Sequence, residues 1–248
     1  MDWLFNRNNT ILKYADVFLG YRHILLLLST VGACIGLTLF LRRKNEASKR
    51  KFFKVIAWVL IGFELSYRVI NLLGVSEYSL KDILEIVLPL HLCSIMVWVL
   101  IVAFLTEKEW LLRFGTVCTI MSMGLYLIFP LTGLNQAKFS FSMLYSASTH
   151  EIGFVSAVLL LTLKSVEFSM QKIWQTFLGY AVCFVWGGVA NVVYKHRNYM
   201  FMAKDPLSLP LPFPYQILYA VLVVGYIVVF FLLARKIKTD IKKKKEQT

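Results

Sequence analysis

Residues 86–100 read IVLPLHLCSIMVWVL, an apolar run that still holds Pro89, His91 and Cys93 within five positions. A bilayer-spanning helix takes about 20 mostly apolar residues, each rising about 1.5 Å. With its flanks this stretch is long enough, and the same ruler finds seven such runs: 23–41, 52–73, 83–105, 110–130, 142–163, 173–194 and 213–234. The fold class this predicts is an all-α membrane protein, a bundle of seven transmembrane helices. A share of 58% hydrophobic residues against 17% charged, with mean hydropathy +0.65, excludes an ordinary soluble domain.

The formal net charge of +13 would point to nucleic acid in a soluble chain. Here the positive residues sit in short connections beside apolar runs, where they set topology and meet anionic lipid headgroups, so no nucleic acid partner is expected. Counting Lys and Arg in the connections puts sixteen on the side holding 42–51, 108, 164, 172 and 235–245, against eight on the other. Positively charged loops stay cytoplasmic, so the N-terminus is expected outside and the C-terminus inside. The organisation is then an extracellular N-terminal segment 1–22, a transmembrane domain 23–234 and a basic cytoplasmic tail 235–248. No signal peptide is read at the N-terminus, because the first strongly apolar run is too long for one. A multi-pass place in a cell membrane, bacterial in character, is the expected localisation.

Polar groups inside a span cost a few kcal/mol each, so they face the bundle interior and mark function or assembly. The second span reads GFELSYRVIN, with Glu64, Arg68 and Asn71 at i, i+4 and i+7 on one helical face. They form either a packing ion pair or part of a binding pocket. In the third span Pro89 bends the helix and Glu85 lies a turn before it. The fifth span reads LYSASTHEIGF, placing Ser146, Ser148 and Thr149 before His150 and Glu151 after it. His91 and His150 each lie about eight residues below the outer start of their span, so both are roughly 12 Å deep. Arg68 and Asn191 come to the same half, followed by Tyr194 and Asn198 after the sixth span. Gly187 and Gly188 are read as letting the sixth span pack closely on a neighbour. The apolar loop with Pro206, Pro210 and Pro212 is read as an interfacial roof or a plain spacer.

The four cysteines form no CxxC pair, and no HExxH-like spacing accompanies the histidines, so neither a metal nor another cofactor is expected. The candidate catalytic groups are His91 and His150 as bases, with Cys93, Ser148 or Thr149 as nucleophile. Glu64, Arg68, Asn71, Asn191, Tyr194 and Asn198 are the candidate substrate-binding set. A seven-helix pigment is disfavoured, because the last span contains no lysine for a Schiff base.

Three features taken together carry a resemblance: LPLHLC at 88–93, a histidine in the fifth span, and the Asn191, Asn198–Phe201 and Lys204–Pro206 pattern after the sixth. In these the chain resembles the YwaF family of bacterial membrane proteins, which groups with the eukaryotic transmembrane protein 164. The resemblance runs from the second span through the seventh. It implies acyl transfer on lipids, with His91 or His150 as base. The eukaryotic relative is implicated in acyl transfer on ether phospholipids with a cysteine nucleophile. Its motif places cysteine directly before the histidine, where this chain has Leu90, so Cys93 stands as a neighbouring candidate. The expected activity is that of an acyltransferase or acyl hydrolase on phospholipid or lipoprotein acyl chains, the partners being membrane phospholipids or a lipidated substrate. The alternatives are an ion- or proton-coupled solute carrier and a non-catalytic protein whose polar residues join helices.

Overall fold

The structure is a computed structural model that describes residues 10–13, 17–74, 79–130, 133–195, 197–202 and 214–246, with side chains as far as Arg235. Among the described residues eight α-helices follow one another: α1 Tyr21–Arg42, α2 Glu46–Leu73, α3 Leu80–Val87, α4 Leu92–Thr106, α5 Glu109–Ile128, α6 Phe141–Thr162, α7 Ile173–Val193 and α8 Tyr215–Glu246. Single 3₁₀ turns occupy Met170–Lys172 and Tyr199–Phe201. Six helices are each long and apolar enough to cross a membrane, and α3 with α4 passes the same test as a pair bent by 58°. The third expected span is therefore broken, and 83–105 is not one helix. At 15 residues α4 alone reaches only about 22 Å, short of a bilayer core of about 30 Å.

Local chemistry fixes the ends. Asn45 caps α2 by accepting from the Ser48 N–H at 2.9 Å, and Ser140 caps α6 by accepting from the Met143 N–H at 3.1 Å. Ser79 and Asp82 form a reciprocal capping box on α3. Pro89 stops α3: it has no N–H for the ladder, and the residue before it, Leu88, is pushed to an extended φ −81°, ψ 141°.

The centre of the bundle is α5. Two thirds of its span is buried (67%), against 22% for α1 and for α8 at the margins. It packs on α4, α6 and α7, while α2 lies across α4 and α6, α1 on α6 and α8 on α7. Leu60, Met96, Leu100, Val117, Leu159, Ile227 and Phe231 meet in one apolar core. Outside, Val182, Val185, Val189 and Val192 form an exposed stripe along α7. In water such a stripe would be an aggregation hazard; in lipid it is the outer wall of a spanning helix. The chain is a multi-pass membrane protein.

The basic end is stitched by charge. Buried Arg113 donates to the Glu167 carbonyl at 2.7 Å, to Glu109 at 2.6 Å and to Gln175, joining the α4–α5 and α6–α7 turns. Lys54 and Arg50 pair with Glu107 at 2.8 and 3.4 Å. At the opposite end Arg22 donates to the carbonyls of Gln136 and Ala137. Buried His23 accepts from the Leu19 N–H through Nδ1, so its Nε2 carries the hydrogen donated to the Leu127 carbonyl at 2.7 Å.

Candidate functional site

The break between α3 and α4 organises the polar interior. Ending a helix inside a bilayer frees carbonyls on one side and amides on the other, and there is no water to pair them. The carbonyls are met by side chains: Arg68 Nε donates to the Val87 carbonyl at 2.9 Å, and Trp186 Nε1 donates to the Pro89 carbonyl at 2.9 Å. His91 is the N-cap residue of α4, but its side chain makes no capping bond. Its ring stands edge-on to Tyr199, with centroids 4.8 Å apart.

Glu64, with no exposed side-chain surface, pairs with Arg68 one turn on, as the i, i+4 spacing predicts. Tyr145 donates to the other Glu64 oxygen at 2.5 Å, and its ring stacks on Tyr67 at 4.0 Å. The Arg68 guanidinium also lies over the Trp98 ring at 5.4 Å. Asn71 donates to the Tyr67 carbonyl at 2.7 Å. The Glu64–Arg68 pair thus ties α2 to α6 and to the end of α3.

His150 lies in the neighbouring layer. Its Nδ1 is 2.6 Å from the Ser146 carbonyl, an acceptor only, so Nδ1 carries the hydrogen and the Nε2 lone pair is left for other partners. The ring stacks on Tyr126 with centroids 3.7 Å apart. Tyr126 in turn accepts from Ser146 Oγ at 3.3 Å and lies within electrostatic reach of Cys93. The Cys93 thiol donates to the Ser122 carbonyl, one turn before Tyr126, at 3.6 Å. His91 and His150 sense one another's charge. Cys93 thus reaches α5 at Ser122, and one turn on Tyr126 of the same helix carries the His150 ring. Gly133, at φ +81°, closes this layer: a Cβ there would strike Ser146 Oγ and would come to 2.9 Å from the Tyr126 hydroxyl.

The segment after α7 docks on α3. Arg197 pairs with Glu85 at 2.7 Å, and the Tyr199 hydroxyl donates to the same carboxylate at 2.9 Å. Burial, reinforced by that bond, pushes the Tyr199 phenol above its ordinary range. Asn191 both donates to the Tyr199 carbonyl at 3.0 Å and accepts from its N–H at 2.8 Å, so its amide holds the turn in place. Tyr194 donates to the Lys81 carbonyl at 3.0 Å, and Asn198 leads into the Tyr199–Phe201 turn. Tyr67 senses both Arg68 and Arg197, so the two ion pairs share one polar region. The Gly187 reading is corrected: a Cβ there would stand 2.7 Å from Met200 Sδ, so the gap admits the following turn rather than a neighbouring helix. The expected roof, with Pro206, Pro210 and Pro212, lies outside the described residues.

Among the nucleophile candidates, Thr149 donates back to the Tyr145 carbonyl at 2.8 Å, a common habit of threonine in a helix. Glu151, the residue after His150, lies within charge range of Cys34 on α1. Among the described residues no three of His, Cys, Asp and Glu gather as a metal would require. Reading the sequence missed Ser122, Tyr126, Tyr145 and Trp186. Ser122 with Tyr126, and Ser146 with His150, stand at i, i+4 on their helices, a spacing that puts each pair on one face.

A sequence model described as the TMEM164 family matches residues 18–235 of the chain. No curated protein matches it, and no solved structure does.

Proposed function

The chain belongs to the TMEM164 family, and from that premise we propose that it is a membrane-embedded enzyme acting on lipid acyl chains, as a transferase or hydrolase, at the α3–α4 break. The substrate is a phospholipid or lipoprotein ester. The observation that carries the reading is the His150 arrangement: Nδ1–H held by the Ser146 carbonyl, Nε2 left basic, and the Cys93 thiol meeting α5 one turn from the Tyr126 ring on which His150 stacks. A general base needs this kind of orientation, with one ring nitrogen fixed so that the other presents its lone pair.

The reaction runs in two halves. His150 Nε2 takes the Cys93 thiol proton as Sγ bonds to the ester carbonyl carbon, and the carbonyl π electrons move onto oxygen. The tetrahedral adduct collapses, the C–O bond breaks, and the departing lipid alkoxide takes the proton back from His150. The acyl group is left on Cys93 as a thioester. An acceptor alcohol, or water in hydrolysis, then gives its proton to His150 Nε2 as its oxygen bonds to the thioester carbon. The C–S bond breaks, and the departing Cys93 thiolate takes that proton back from His150, with His91 standing at the edge of the site. Arg68 and Glu64 hold the break that presents Cys93. Under the topology read from the charge bias, the site opens towards the outer leaflet.

The test is lipid analysis of cells lacking the gene and complemented with wild type, His91→Ala, His150→Ala or Cys93→Ala. The reading expects an altered acyl pattern that wild type restores and that folded His150→Ala and Cys93→Ala do not. An unchanged pattern in the deletion removes it. One observation favours a second reading: a broken span beside a buried ion pair is also how carriers build a midplane site. Solute accumulation by sealed vesicles containing the protein, without acyl turnover, decides for that class.

A further inference from the structure

The acyl-transfer reading needs donors for the negative oxygen of the tetrahedral adduct, a term worth two to three orders of magnitude in rate per donor in acyl-transfer enzymes. The two sides of the helix break are treated unequally. Two carbonyls of the break, those of Val87 and Pro89, have side-chain donors in Arg68 and Trp186. Among the described residues the Leu92 and Ser94 amides that open α4 have no hydrogen-bond acceptor, and the Cys93 amide has only its own thiol sulfur near it. The first intrahelical bond runs from the Ile95 N–H to the His91 carbonyl at 3.0 Å, which leaves the N–H groups of Leu92, Cys93 and Ser94 ahead of the ladder. His91, in the capping position, supplies no side-chain acceptor. In a 15-residue helix those amides sit at the positive end of the dipole, on half-buried residues, and a donor left unmet there is costly.

A second, independent observation points to the same place. Ser122 on α5 is 7% exposed, and its hydroxyl has no hydrogen-bond partner among the described residues. That hydroxyl stands close enough to the Cys93 sulfur to donate to it when the thiol is ionised, but it makes no bond of normal geometry to it or to any other described group. A buried hydroxyl left without a partner beside a row of open amides is a group awaiting an acceptor.

We propose that the amino end of α4 is an oxyanion site, its donors the backbone N–H groups of Leu92, Cys93 and Ser94 and the hydroxyl of Ser122, and that its ligand is the carbonyl oxygen of a lipid acyl ester under attack by Cys93. The proposal rests on the acyl-transfer reading and extends it. It explains why Pro89 and His91 stand where they do: proline ends one helix so that another begins beside the thiol, and a residue that does not cap leaves the amides free.

The test uses the full chain in detergent micelles with a long-chain alkyl trifluoromethyl ketone, whose adduct with a thiol carries a negative oxygen and a distinct ¹⁹F signal. Wild type is expected to form the adduct and Cys93→Ala to lose it. Ser122→Ala is expected to bind the ketone at least tenfold more weakly and to lower kcat for acyl transfer about a hundredfold, with KM little changed. Leu92→Pro is the second variant. It removes one amide at the first helical position, where proline fits, after a His91 already extended at ψ 147°. It is expected to lower kcat at least tenfold while melting within a few degrees of wild type. If both variants, folded, bind the ketone and turn over as wild type does, the oxyanion site is overturned while the Cys93 adduct keeps the acyl-transfer reading intact. If wild type forms no adduct and transfers no acyl group, both fall.

Discussion

Arg68 meets more of the polar interior than any other side chain described above: it pairs with Glu64, donates to the end of α3 and faces Trp98. Removing one partner of a buried ion pair leaves the other charge unmet, at a cost of about 3–5 kcal/mol, whereas removing both together costs far less. Arg68→Met is therefore predicted to lower stability by about that amount, and the double variant Glu64→Gln, Arg68→Met to recover most of it, as read by thermal unfolding in detergent. At Gly133 the backbone is left-handed and a Cβ meets Ser146 Oγ. Gly133→Ala is predicted to cost about 1–2 kcal/mol from φ alone, with a further cost from the displaced Ser146, and to reduce acyl turnover by disturbing the His150 layer. At this scale the sequence was legible where partners share a helix. Glu64 and Arg68 are a turn apart, but Tyr145 reaches Glu64 from 81 positions away, and no spacing announces that contact.

The element that departs from expectation is the third span. Proline in an apolar run announces a bend, but the size of the bend depends on what meets the freed groups, and those are Arg68 from α2 and Trp186 from α7. With partners supplied by other helices the segment stops and restarts, at 58°, instead of curving. Pro89→Ala returns the missing N–H and removes the clash with the preceding turn, so α3 and α4 gain the option of joining. The prediction is that amide exchange of residues 91–94 slows in this variant, that its melting temperature does not fall, and that its acyl turnover drops because the open amides are consumed by the ladder. Unchanged exchange at those amides would mean that Arg68 and Trp186 hold the break without the proline. The helices α1, α5, α6 and α7 were legible to within a few residues, since an apolar run of bilayer length is a local property. By contrast α2 starts six residues before its expected span and α8 continues twelve beyond its own, because a polar flank extends a helix without lengthening the apolar run.

Over the whole molecule, composition and run lengths suffice for a helical membrane bundle. They are silent on which helix takes the centre, because α5 is less apolar than α1 and α8 at the margins. It is buried because small residues on it admit others: Gly115 meets Leu100 and Val99, and Gly124 meets Phe154. The surplus of Lys and Arg at the end holding Lys54 and Arg50 predicts that this end is cytoplasmic. A fluorescent protein fused to the C-terminus is then expected to glow and an alkaline phosphatase fused there to stay inactive. At the same end, a hydrogen bond from Lys54 lowers the Glu107 carboxyl from its ordinary 4.5. A depressed carboxyl contributes stability above its unfolded pKa and loses it as pH falls through the folded one. Wild type is therefore predicted to lose its small advantage over Glu107→Gln as pH falls below the ordinary carboxylate value of 4.5, measured as the difference in melting temperature.

The central claim, a thiol and an oriented imidazole acting on lipid esters at a broken helix, is tested most directly by trapping the acyl-enzyme. The purified full chain is mixed in detergent with a phospholipid labelled in its acyl chain, quenched in acid, digested and read by mass spectrometry. The account predicts a hydroxylamine-labile acyl group on Cys93 in wild type and its absence in a folded His150→Ala protein. Acyl transfer that proceeds at the wild-type rate in both Cys93→Ala and His150→Ala, or a wild-type chain that moves no label, would contradict it.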